Sequence, residues 1–105
     1  MNYVATSAEV TAAIAEIGPA LNVGGSTNYF SVAERTPTQV VLKSPALPGL
    51  GSNIQVTFTA LQSGNTTMVM HTYKGSLMEV RADSPTDQSV KEVYTKLSQK
   101  FQMAP

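Results

Sequence analysis

Residues 54 to 73 constrain this chain more than any other stretch. In "IQVTFTA", Ile54, Val56, Phe58 and Ala60 fall on one face of a strand, and Gln55, Thr57 and Thr59 fall on the other. "QSGN" then supplies turn residues, and "TTMVMHTY" returns as a second β-rich run. Two such runs around a glycine-containing turn read as an antiparallel hairpin. One face of that hairpin is apolar, so a second layer must cover it.

The turn sets the register. A tight turn with Gln62 opposite Asn65 puts Phe58 across from Val69, Val56 across from His71, and Ile54 across from Tyr73. Directly opposed residues share a sheet face. Val69, His71 and Tyr73 therefore belong to the apolar face. Met68, Met70 and Thr72 belong to the other, beside Gln55, Thr57 and Thr59. A slip of one residue would exchange the two faces.

The flanking sequence supplies more strands and the covering layer. "TNYFSVAER" and "TQVVLKS" read as strands before the hairpin, and "LMEVRA" reads as a fifth strand after it. "PALPGLGS" interrupts them with two prolines and two glycines, which exclude regular structure. Ahead of the strands, Thr6 and Glu9 have capping-box spacing. Val10, Ala13, Ile14, Ile17 and Leu21 follow as one helical stripe. Gly18-Pro19 is expected to end or kink that helix near Ile17. At the other end, Ser84 reads as an N-cap, Pro85 as the first helical residue and Asp87 as the acidic first-turn residue. Val90, Val93, Tyr94, Leu97 and Phe101 form the second stripe.

The expected fold is a single α+β domain spanning residues 1–105: helix, five-stranded antiparallel meander, helix. Both helices pack on one sheet face, making a two-layer sandwich. A chain of 105 residues is one domain, long enough to bury roughly two-thirds of its unfolded surface.

Composition removes several function classes. Seven basic side chains balance seven acidic ones without a basic run, which argues against nucleic-acid or anionic-membrane binding. The absence of cysteine excludes a disulfide framework, a thiolate metal site and a cysteine nucleophile. No apolar run approaches the ~18 residues of a membrane span. "NYVATSAEV" after Met1 has neither the basic start nor the apolar block of a signal peptide. Only 13% of residues are charged, and the hydroxyl-rich remainder fits an exported bacterial domain, so the chain is expected to be the mature part of an exported protein or otherwise cytoplasmic.

Candidate chemistry is sparse. His71 is the single histidine, and two methionines precede it. Imidazole and thioether are ligands for a soft metal, but adjacent strand residues point to opposite faces. Met70 and His71 therefore do not grip one ion, and no metal or cofactor is expected. Glu79, Asp83 and Asp87 are the nearest thing to an acidic group. Strand solvation and helix capping account for them better than paired acid–base work, which needs a shared cleft. "NVGGS" and "LPGLGS" lack phosphate-loop spacing and a following lysine. No nucleophile elbow accompanies His71. "NTT" at Asn65 is a formal glycosylation acceptor, read here as a hairpin turn. No catalytic residue is assigned.

The layout of a capped alanine-rich helix, the strands in "IQVTFTALQSGNTTMVM", a further strand and a closing helix resembles the soluble domains of small bacterial envelope lipoproteins. The resemblance implies a non-enzymatic domain in the cell envelope or periplasm. The lipid-bearing cysteine of that family has no counterpart here, and no functional residue transfers.

The expected function is a binding or scaffold module. Its candidate interaction face is Gln55, Thr57, Thr59, Met68 and Met70, used toward a protein partner or a second copy. The alternative is a carrier that holds an apolar small molecule between the sheet and the last helix. Phe30, Tyr29, Phe58, Tyr94 and Phe101 would line that cavity. A void beneath the last helix would favour the carrier, and a packed core the module.

Overall fold

The computed structural model describes residues 1–21, 29–44, 54–74 and 85–104. The elements are β1 (Asn2–Tyr3), α1 (Ser7–Ala20), β2 (Ser31–Thr36), β3 (Gln39–Lys43), β4 (Gln55–Ser63), β5 (Thr66–Lys74) and α2 (Pro85–Lys100). The strands form one five-stranded antiparallel sheet in the order β1-β5-β4-β3-β2. Four of them run as the expected meander. The fifth is β1, which pairs with β5 at the far side. The strand expected over residues 77–82 lies outside the described residues.

Short-range chemistry starts α1. Thr6 Oγ1 accepts from the Glu9 N–H at 3.1 Å, and Glu9 Oε1 accepts from the Thr6 N–H at 3.1 Å. These two bonds satisfy two otherwise orphaned donors. A third is satisfied from the hairpin, because Gln62 Oε1 accepts from the Ser7 N–H at 2.9 Å. Thr6, first through its backbone N–H, holds the Glu9 carboxyl below its ordinary pKa.

The end of α1 corrects one expectation. The helix does not stop near Ile17 but runs through Pro19 to Ala20. Proline costs one backbone hydrogen bond, and its ring crowds the residue before it. Here that residue is Gly18, whose missing Cβ removes part of the crowding. Gly18 also lies directly against β3. A Cβ there would lie 2.7 Å from both methyls of Leu42.

The hairpin register also differs from the expected one. Gly64 and Asn65 form the turn, with Gly64 at φ +62°, and Ser63 pairs with Thr66. Phe58 therefore faces His71, Val56 faces Tyr73, and Ala60 faces Val69. The shift is two residues, so it leaves every side chain on the expected face.

Both helices cover the same face. The core joins Val10, Ala13 and Ile14 of α1 and Val90, Val93 and Leu97 of α2 to Val40, Leu42, Val56, Phe58, Ala60 and Val69 of the sheet. Tyr3 carries β1 into this core and is fully buried. Below it, Thr67 Oγ1 donates to the Ala5 carbonyl at 2.7 Å, a buried bond that ties β5 to the start of α1. After α2 the chain returns to β1. Val4 N–H donates to the Gln102 carbonyl at 2.8 Å, and Ala104 N–H donates to the Asn2 carbonyl at 2.9 Å.

Candidate functional site

The face turned away from the helices carries the residues expected to interact. Thr59 lies opposite Met70, Thr57 opposite Thr72, and Gln55 opposite Lys74. Gln55, Thr57 and Thr59 are half-buried, while Met68 and Met70 are 40% and 44% exposed. The five candidate residues therefore form one continuous surface. Leu61 joins them. It lies directly opposite Met68 and is 46% exposed. Leu61 was legible in the sequence, since it continues the alternation of 55, 57 and 59 by one more step. Val41 lies across from Thr57 on the same face and is buried.

Leu61, Met68 and Met70 thus make an apolar patch at the turn end of the hairpin. Lys43 and Lys74 flank Gln55 at the other end of this face. Methionine's unbranched thioether chain adapts to irregular contacts, and contiguous exposed apolar groups tend to mark interaction sites.

The covered face holds the chain's titratable aromatic groups. His71 Nδ1 lies 2.7 Å from the Tyr94 hydroxyl on α2. The hydroxyl has no other partner among the described residues, so a neutral ring satisfies it best by accepting its proton at Nδ1. Phe58, Tyr73 and Tyr94 surround the imidazole at ring-centroid distances of 6.1, 5.3 and 5.4 Å. Tyr73 donates to Asp87 Oδ1 at 3.3 Å, and Asp87 pairs with Lys91 at 3.1 Å. Burial pushes Tyr94 up to about 12. Burial, aided by the Asp87 charge, pushes Tyr73 up to about 12 as well. His71 is lowered by burial, against a smaller opposing pull from Asp87.

His71 and Met70 point to opposite faces, as expected. Glu79 and Asp83 lie outside the described residues. Asp87 occupies the first turn of α2 and serves Tyr73 and Lys91. Among the described residues, no three histidine, aspartate or glutamate side chains gather as a metal site.

The aromatic residues assigned to a cavity belong to the core or pack against it. Phe58 contacts Tyr94 edge-on at 6.0 Å, and Tyr29 contacts Phe30 edge-on at 5.1 Å. Between the sheet and α2, the space bordered by Phe30, Leu42, Val56, Phe58, Val90 and Val93 admits no water molecule. An open groove of about 460 Å³ runs along the flank of α2, past Lys91, Tyr94 and Ser98. Comparison with protein families, with curated protein sequences and with solved structures finds no match for this chain.

No helix among the described residues is long and apolar enough to cross a membrane.

Proposed function

We propose that this domain is a non-enzymatic binding or scaffold module that works through the outer face of its sheet. The patch of Leu61, Met68 and Met70 carries the reading. These are three large apolar side chains, adjacent across two strands and each at least 40% exposed. Folding gains nothing from leaving them in water, whereas a partner surface would bury them. The packed space beneath α2 favours a module over a carrier for an apolar ligand. The low-charge, hydroxyl-rich composition supports a place in the bacterial envelope or periplasm, in line with the lipoprotein-like layout.

Substituting Met70 by Asp tests the assignment. Sedimentation of the wild-type and Met70→Asp proteins, alone and with candidate envelope proteins, should show association weakened by the substitution. The fold should be intact by circular dichroism. Association that survives both Met70→Asp and Leu61→Asp in folded protein removes this face as the interaction site.

A further inference from the structure

The covered face has a feature that the outer-face function does not use. α2 is fastened to β5 by side chains as well as by apolar packing, through the His71–Tyr94 bond and the Tyr73–Asp87 bond. We propose that His71 is the pin of a pH-sensitive latch, holding α2 against β5 while its ring is neutral and loosening that contact when the ring takes up a second proton.

The geometry makes protonation disruptive in two ways. A neutral imidazole accepts the Tyr94 proton at Nδ1. An imidazolium has only donors, so Nδ1 must donate to the hydroxyl instead. The phenolic proton then has no acceptor among the described residues. The new charge also lies in a half-buried ring slot, where desolvation disfavours it.

The groups facing the ring on each side set the balance. From β4 comes Phe58, with no charge. From β5 comes Tyr73, neutral and pushed up to about 12. From α2 come Tyr94 and Asp87, whose carboxylate attracts the cation while pairing with Lys91. From the β1 side comes the amino group of Met1, which donates to the Val69 carbonyl at 3.0 Å and also repels it. A cation gains some attraction from the neighbouring tyrosine faces, but burial is the largest influence on the ring and outweighs Asp87 in lowering its proton affinity. The sign follows. With its folded-state pKa below the ordinary value of 6.5, the neutral latch is fully set above that pH. It is lost as pH falls through the lowered value.

Amide hydrogen exchange on the intact chain, corrected for intrinsic pH dependence, tests the latch. Between pH ~7.5 and ~5, the Val93, Tyr94 and Leu97 amides should lose protection relative to Ala13 and Ile14 of α1. The loss should be up to about tenfold for each pH unit that separates the folded and unfolded titrations. In His71→Gln, which accepts a hydrogen bond without titrating, the selective loss should vanish. In Tyr94→Phe, which keeps the ring but gives Nδ1 no donor, the transition should move to higher pH. Equal loss in α1 and α2, unchanged protection of α2, or a selective loss that persists in His71→Gln would each overturn the latch. If His71→Gln fails to fold, an unmoved transition in Tyr94→Phe overturns it.

Discussion

Alternate positions of β4 and β5 share one backbone and meet opposite fates. Toward the helices, Val56, Phe58, Ala60 and Val69 are at most 1% exposed. Away from them, Leu61, Met68 and Met70 keep 40% or more of their surface in water. The difference is not one of hydrophobicity, since methionine and leucine would serve a core as well. It comes from where α1 and α2 lie. The inner face also changes character along its length. At Ala60 and Val69 it is apolar, whereas at His71 and Tyr73 burial is partial and hydrogen bonds to α2 take over. One face is thus closed by the two helices, and the other keeps Leu61, Met68 and Met70 exposed.

Four substitutions would break or sharpen that contrast. Leu97→Ala should have the largest effect, because Leu97 is fully buried at the centre of the inner layer. A loss of ~2–5 kcal/mol in chemical denaturation is expected for a packed leucine. A loss below ~1 kcal/mol would mean a loosely filled layer and restore the carrier. Thr67→Val comes next. It strips the donor from the buried Ala5 carbonyl near the turn end of the hairpin, at an expected cost of ~1–3 kcal/mol. A neutral result would show that water reaches that carbonyl. Tyr94→Phe removes one hydroxyl from the polar end of the inner face. A neutral hydrogen bond contributes ~0.5–1.5 kcal/mol, so denaturation above pH ~7 should detect a loss in that range. Met70→Asp should move stability least, within ~0.5 kcal/mol for an exposed position. A large destabilisation would mean the outer face is already covered in the folded chain.

Much of this contrast was legible in the residues. Period-two alternation assigned every hairpin side chain to its correct face. It did so although the turn sits one residue later than expected and every pairing moves by two. Alternation fixes parity and not register, so the error left the face assignment untouched. The Thr6–Glu9 cap was legible because all its atoms lie within one turn of helix. The helix stop expected at Gly18-Pro19 does not occur, since Gly18 has no Cβ to crowd the proline ring, and the same glycine seats Leu42 from another element. β1 could not be seen, since two residues carry no period. The Tyr94–His71 bond was hidden for a different reason. Each residue looked like ordinary sheet or helix stripe, and only the seating of α2 on β5 brings them within 2.7 Å.

The placement of β1 bears on the order in which the molecule assembles. Neighbours in sequence build the meander, so it closes only short loops. β1 must instead find β5, whose Thr67 bonds Ala5 across 62 residues of sequence, and it must then meet residues 102–104 on its other side. Closing long loops costs entropy before any contact repays it. The hairpin and its neighbours should therefore form first, with β1 and the segment after α2 zipping on late as a pair. Truncating side chains at the β3–β4 contact should slow refolding. Changes at Tyr3 or Met103 should instead speed unfolding. The edge that arrives last is then also the first to leave, and an unfolding force or a protease would find its entry there.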